Sequence, residues 1–327
     1  MEDLKNFKVG KMMSYENYLI KVSEVDENAQ LVSAAVFNKS TSKVDVLNNA
    51  TLKELWKIVG YIPQSGEIRH QKFSEILLAL QKDEPVYLYG AAGSGKNVVA
   101  QQLANELGLQ FYFSNCITLK HEIEGYGNAV GELVSTPFFD AFTKGGLFMF
   151  DEFDASAPEA VIVLNAALAN GYYNFPVIGN VEKHKDFRVI AAGNTTGRGA
   201  NEVYNGRSKI DAATLDRFTA IRFEYDKNVE RKLAKGNDEI LDFIYALRKA
   251  CNRTHVYLTL GYRAIIRMVK YTECYTPKTN VDVSILKGMD IDEMEVINNE
   301  LKNLLNTSSN RYYLGFLQLL NELKELL

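Results

Sequence analysis

Cysteine is scarce in this 327-residue chain: three residues, Cys116, Cys251 and Cys274, far apart and without a Cys-x-x-Cys spacing. That argues against a disulfide frame and a zinc site, and for reducing surroundings. Histidine is scarce too, with four residues. His121 and His184 stand isolated, without metal-ligand spacing, and read as surface residues. No apolar run reaches the ~18 residues of a membrane span. The opening stretch, Met1 to Lys11, is polar and charged, unlike a signal peptide. A cytoplasmic location without a membrane partner is the expectation. Positive charge is not in excess: the net charge is −4, so nothing draws the whole chain to nucleic acid. There is no internal repeat and no low-complexity tract. What remains is 46% apolar and 24% charged, an ordinary globular composition with length for two or three domains.

Residues 1–66 read as a small β-rich module. Tyr18 to Val22 and Leu31 to Phe37 are rich in strand formers, and Ser42 to Leu47 alternates with period two. Asp26-Glu27-Asn28 and Asn38-Lys39-Ser40 supply turn chemistry. A short helix is expected at 51–59, and Pro63-Gln64-Ser65-Gly66 marks the boundary. From 67 to 226 strands alternate with helices. Strands are expected at 86–89, 110–113, 147–150, 189–192 and 220–223, with helices at 71–81 and 98–107, the latter stopped by Gly108. Such alternation predicts an α/β core with a parallel sheet covered on both faces. Residues 227–327 carry helical apolar spacing at 240–251, 262–271, 292–305 and 312–327. In the last of these, Tyr313, Phe316, Leu317, Leu320, Leu323 and Leu327 form one stripe, read as packing within a helical lid, with subunit contact as the alternative.

Three segments carry chemistry. Gly90-Ala91-Ala92-Gly93-Ser94-Gly95-Lys96-Asn97 follows a strand and opens a helix. Its glycines let the backbone curl round an anion with N–H groups inward, and the helix adds its positive end. Lys96 would reach the β- and γ-phosphates of a nucleotide. The pattern ordinarily has Ser or Thr after the lysine, whose hydroxyl ligates Mg²⁺. Here Asn97 offers a longer carbonyl oxygen that Mg²⁺ also accepts. Next, Leu147-Phe148-Met149-Phe150 is an apolar strand ending in Asp151-Glu152, 55 residues after Lys96. Asp151 can hold the metal's water shell, and Glu152 can orient and deprotonate an attacking water. Together these two segments point to ATP. Third, Phe187 to Asn194 is a strand ending in a polar residue. Asn194 would position water near the γ-phosphate, or else cap the loop that runs on through Gly197.

The order of these motifs, followed by Leu215-Asp216-Arg217-Phe218, resembles AAA+ ATPases. The dynein-related and MoxR-like branch is the nearest in pattern, including the cobaltochelatase ATPase subunit. Gly145 to Asp154 and Leu164 to Gly171 resemble phage-encoded members, some of which also carry Asn after the loop lysine; the cytoplasm would then be a host's. The resemblance covers about 71–270 and not the first 65 residues. It implies a P-loop core with a helical lid, ATP and Mg²⁺ as cofactors, and Asn194 as a sensor. It places Arg217 where such enzymes extend an arginine finger into a neighbouring subunit, with Arg207 as rival. Arg263 would bridge the lid to the γ-phosphate, or Arg267 one turn on. A finger in trans implies a homo-oligomeric ring, most simply a hexamer. Similar proteins place a segment like Lys120 to Gly127 near the ring channel, where Tyr126 would grip a polypeptide or merely pack its loop. They also carry a hairpin like Tyr172 to Lys185, here with Gly179-Asn180 as candidate turn.

Three roles follow as expectations. The first is an ATP-driven remodeller of a protein partner, which by the resemblance has a von Willebrand A-type domain. The second is a DNA motor or replication accessory, disfavoured by the acidic balance and the absence of a DNA-binding motif. The third is a slow ATP-binding switch with Asn97 as its defect, against which the intact Asp151-Glu152 pair argues.

Overall fold

A computed structural model describes residues 12–15, 18–26, 31–38, 43–51, 68–200, 202–305 and 309–326. The chain divides into two compact units, Met1–Leu78 and Ala79–Leu327. The boundary expected near 66 lies outside the described residues, as do residues 52–59 of the expected short helix. Thr51, its expected first residue, closes a strand instead.

The first unit holds a four-stranded antiparallel sheet in sequence order: β1 (Met12–Tyr15), β2 (Tyr18–Asp26), β3 (Leu31–Asn38) and β4 (Lys43–Thr51). Strand β1 is absent from the sequence reading. Ile20, Val22, Val32, Ala34 and Val36 are buried, the alternation of a sheet with one covered face. The pairing of β2 with β3 shifts register between Val22 and Glu24. In β4, Val44, Asp45 and Val46 are all exposed, so burial does not follow the period-two pattern of the sequence.

In the second unit, β5 (Val86–Tyr89), β6 (Phe111–Ser114), β9 (Gly146–Phe150), β12 (Phe187–Gly193) and β13 (Thr219–Arg222) form one sheet in the order β13-β5-β12-β9-β6. Every pairing is parallel. Between them lie two small antiparallel ribbons, β7 (Tyr126–Gly127) with β8 (Leu133–Val134), and β10 (Tyr172–Phe175) with β11 (Gly179–Glu182). All five residues of β9 are buried, as a central parallel strand requires. Phe138 and Phe142 of the helix Pro137–Lys144 pack on Phe148, Phe175 and Phe187. Each such buried ring contributes about 1.5–3 kcal/mol by leaving water.

The β10–β11 ribbon corrects the expected turn. Gly179 and Asn180 are strand residues paired with Phe175 and Asn174. The turn is Pro176-Val177-Ile178, with Val177 left-handed at φ 66°. Pro176 has no N–H for a ladder, which ends the strand there.

The last hundred residues are helical as expected, with helices at Asp238–Thr254, Tyr262–Tyr271, Ile291–Leu304 and Arg311–Glu325. They enclose a hydrophobic cluster of their own, separate from that of the sheet. Tyr313, Phe316 and Leu320 are buried in it and Leu317 and Leu323 partly so. The stripe on the last helix is therefore packing within the lid; Leu327 lies outside the described residues.

Candidate functional site

The order of the sheet sets β5, β12 and β9 side by side. Their C-terminal ends carry the glycine-rich loop, Asn194 and Asp151-Glu152 respectively. This is the edge at which open α/β sheets bind ligands. Strand β12 sits between the loop strand and the acidic strand, so Asn194 stands between the cation and the carboxylates.

The loop passes directly into the helix Lys96–Leu107, with Gly95 as its N-cap at φ 91°. A β-carbon there would meet the Tyr262 ring at 3.3 Å, so both conformation and space call for glycine. The first N–H groups of this helix have no intrahelical partners, and a helix N-terminus of this kind suits an anion. Ser94 is buried, and its hydroxyl has no hydrogen-bond partner among the described residues. An orphan hydroxyl beside unpaired N–H groups fits an incoming phosphate.

Lys96 is 6% exposed. Its Nζ donates to Gly90 O at 2.9 Å, Ala91 O at 3.1 Å and Asn194 Oδ1 at 3.1 Å. Burial pushes its pKa down to about 8, opposed by the charges of Asp151, Asp154 and Glu152 and reinforced by that of Arg207. Asn97 Nδ2 donates to Asp151 Oδ2 at 2.7 Å. The amide thus performs the hydroxyl's donation with its nitrogen and leaves its carbonyl oxygen unused. That oxygen and Asp151 make an oxygen-only pair suited to Mg²⁺, which keeps several waters and takes one or two protein ligands beside phosphates. Among the described residues no cluster of three or more His, Cys, Asp or Glu could hold a metal ion unaided.

Glu152 is left-handed at φ 52°, a sparsely populated conformation for a non-glycine residue that recurs at functional sites. Its Oε2 accepts from Arg207 Nη1 at 2.8 Å, and the same nitrogen reaches Asp154 Oδ1 at 3.1 Å. Asp154 is fully buried. Its Oδ2 accepts from Asn194 N (3.0 Å), Thr195 N (2.8 Å) and Thr195 Oγ1 (2.8 Å). The sequence reading did not single out Asp154. Its only signal was position, two residues beyond the acidic pair, where the short 3₁₀ turn Phe153–Ala155 carries it back under β12. Burial lowers the Arg207 pKa, but the hydrogen bond to Glu152 and the charges of Asp154 and Glu152 outweigh it, and the net shift is upward.

Three tyrosines also went unread. Tyr204 Oη accepts from Ala92 N at 2.9 Å, and Tyr225 Oη donates to Ala92 O at 2.9 Å. Tyr262 N donates to Gly93 O at 3.0 Å. Tyr204 and Tyr262 neighbour Arg207 and Arg263 in sequence, but nothing in the spacing signals these contacts with the loop.

The remaining arginines sit elsewhere. Arg217, two residues past the short helix Ala212–Leu215, donates back to Ala213 O and among the described residues has no bond to Lys96, Asp151 or Glu152. Arg263 lies on the first turn of Tyr262–Tyr271, exposed and without an ion pair among the described residues. Arg267 donates to Ser284 O at 3.4 Å, inside the lid. Tyr126 is exposed, with its ring edge-on to His121 at 5.8 Å.

The chain resembles an uncharacterized protein YojN of Bacillus subtilis (strain 168), 31% identical over 164 residues, which cover 47% of this chain and 52% of that one. An uncharacterized protein of Staphylococcus epidermidis (strain ATCC 12228) is 26% identical over 185 residues, 52% of this chain and 67% of that one. The chain thus spans about half the length of the Bacillus relative and two thirds of the staphylococcal one. A solved crystal structure from Cytophaga hutchinsonii, of a protein proposed to be an ATPase, aligns at TM-score 0.39 and 15% identity over 71% of this chain and 76% of that one. At that score it carries no argument. The family description AAA domain (dynein-related subfamily) matches residues 85–218, the segment that runs from β5 through the loop, the acidic pair and Asn194 to Phe218. By that match, residues 85–218 resemble the AAA domain of the dynein-related subfamily.

Proposed function

We propose that the protein hydrolyses ATP as a ring of identical subunits and uses the cycle to remodel a protein partner. The observation that carries the reading is the meeting of Lys96, Asn97, Asp151, Glu152 and Asn194 at the ends of three adjacent strands. The loop N–H groups and the Lys96 ammonium bind the β- and γ-phosphates. Asn194 holds Lys96 and is placed to orient water. Glu152 takes the proton of the attacking water. Mg²⁺, held by Asn97 Oδ1 and Asp151, would supply neutralisation of the phosphate charge. Arg217 is uncommitted to its own site, in keeping with service to a neighbour's γ-phosphate. Arg263 is placed on the helix whose first residues touch the loop, where it can report the phosphate to the lid.

A polypeptide is favoured over nucleic acid as the object of the work. The two ribbons carry exposed Tyr126, Val130, Tyr172, Val177 and Ile178, and a β-carbon on Gly127 of one would lie 2.9 Å from Val177 of the other. An apolar pair of ribbons grips side chains, whereas nucleic acid calls for a basic surface. A partner with a von Willebrand A-type domain remains part of this proposal.

The test is the ATPase rate against protein concentration, with sedimentation in parallel, for wild type, Glu152→Gln and Arg217→Ala. Specific activity should rise as rings form, and both variants should bind ATP yet lose turnover. Wild-type turnover no faster than that of Glu152→Gln would sink hydrolysis. Turnover independent of concentration and of Arg217 would sink the ring mechanism.

A further inference from the structure

Sequence alone left two arginines competing for a neighbour's active site. The structure separates them. The Arg207 side chain is 11% exposed, and its Nη1 is shared by two carboxylates of its own chain, Glu152 at 2.8 Å and Asp154 at 3.1 Å. Asp154 has no exposure. Three donors fix its Oδ2, which leaves Oδ1 for Arg207 and aims the guanidinium. A buried carboxylate requires such a compensating charge. The backbone around Arg207 is tied down as well. Ser208 N donates to Asp154 O at 2.7 Å, Lys209 forms a bridge with Arg198, and Tyr204 is bonded to the phosphate loop. An arginine held on this many sides is not free to enter another subunit.

The residue it does hold is the one the chemistry needs held. The Glu152 carboxylate is 39% exposed and rises from a left-handed backbone with several rotatable bonds. With no partner it would sample many positions in water. Arg207 occupies one of its oxygens and leaves the other to accept a water proton. We propose that Arg207 is a positioning residue acting within its own chain: braced by Asp154, it fixes the Glu152 carboxylate for proton abstraction. The inference rests on the hydrolytic reading above and assigns the trans role away from Arg207.

The experiment uses the full-length chain and three variants, Arg207→Ala, Arg207→Lys and Glu152→Gln, with kcat, ATP Kd and thermal unfolding measured for each. Arg207→Ala should keep ATP Kd within about twofold and lose kcat ~10-fold or more, part of what a general base supplies. Arg207→Lys retains a charge for Asp154 and should recover part of kcat. If Arg207→Ala does not fold, Arg207→Lys carries the test, with kcat several-fold below wild type at unchanged Kd. Subunits are then mixed. Arg207→Lys or Arg207→Ala mixed with Glu152→Gln should give no more turnover than the separate proteins, because no subunit then holds both partners. Turnover restored by mixing would place Arg207 in trans and overturn the proposal. Wild-type kcat in a folded Arg207 variant would overturn it too, and a raised kcat would mean that the pair restrains Glu152. An inactive wild type would defeat the hydrolytic reading itself, a different result from an active wild type indifferent to Arg207.

Discussion

Replacing Gly261 with alanine tests whether lid and phosphate loop are as closely engaged as their geometry implies. Gly261 has φ −88° and ψ −172°, a backbone conformation alanine adopts freely, so any effect must come from the added methyl group. That carbon would lie 2.8 Å from Ala92 O, 3.0 Å from Gly93 O and 3.2 Å from Gly93 C. All three are backbone atoms of the loop. None can swing aside, because Tyr225 holds Ala92 O, Tyr204 holds Ala92 N and Tyr262 N holds Gly93 O. Ordinary contact therefore needs the loop and the lid helix to part by about half an ångström. Overpacking of this kind costs about 1–3 kcal/mol, while the stiffer unfolded chain returns about 0.4–1 kcal/mol. A net loss of about 1–2 kcal/mol lowers Tm by several degrees in a unit of this size. The displaced loop should also bind ATP several-fold more weakly. Differential scanning calorimetry and equilibrium titration with a fluorescent ATP analogue measure both. Gly206→Ala is the control, since a β-carbon there meets nothing within 4 Å. Wild-type Tm together with wild-type affinity in Gly261→Ala would refute the tight engagement.

Asp154→Ala leaves Arg207 and three donors without their acceptor and should destabilise the fold by about 3–5 kcal/mol in urea unfolding; a loss under 1 kcal/mol would show that water replaces the carboxylate. Asn97→Ser should retain Mg²⁺-dependent nucleotide binding, whereas Asn97→Leu loses both the bond to Asp151 and the free carbonyl and should bind nucleotide equally with and without Mg²⁺. For Lys96, the folded pKa of about 8 lies below the ordinary 10.5. Between these values the unfolded chain holds a proton that the folded chain has shed, so this group's contribution to stability rises with pH across that window. ATP affinity runs the other way. Phosphate charge restores the ammonium, so binding takes up a proton above pH 8 and weakens by up to about tenfold per unit beyond it; a pH-independent Kd up to pH 9.5, or no proton uptake by calorimetry in two buffers, contradicts this.

What the sequence made legible was whatever depends on neighbours along the chain. The loop Gly90 to Asn97 and the acidic pair announce themselves because each function needs its residues contiguous. Strand β9 is a run of apolar residues ended by an acidic pair, and the lid helices repeat at helical spacing. What escaped depends on the order of strands, which leaves no local trace. That β12 lies between β5 and β9 decides that Asn194 meets Lys96, and no spacing within Phe187 to Asn194 says so. The ion triad follows from the same cause. Glu152, Asp154 and Arg207 are brought together by a 3₁₀ turn and a returning segment, and Arg207 read alone was as good a candidate for a neighbour's site as for its own. The β10–β11 turn failed for a local reason: Gly-Asn is the commoner turn pair, but Pro176 ends its strand first, and the three-residue turn that follows holds Val177 in the left-handed region. The general consequence concerns how the site is built. Its phosphate-binding half is encoded in one contiguous stretch, while its water-activating half is assembled across 55 residues, from Glu152 to Arg207. Substitutions of Arg207 should therefore alter turnover without altering ATP affinity, whereas substitutions near residue 93, or of Tyr204, which holds the loop, should alter affinity first.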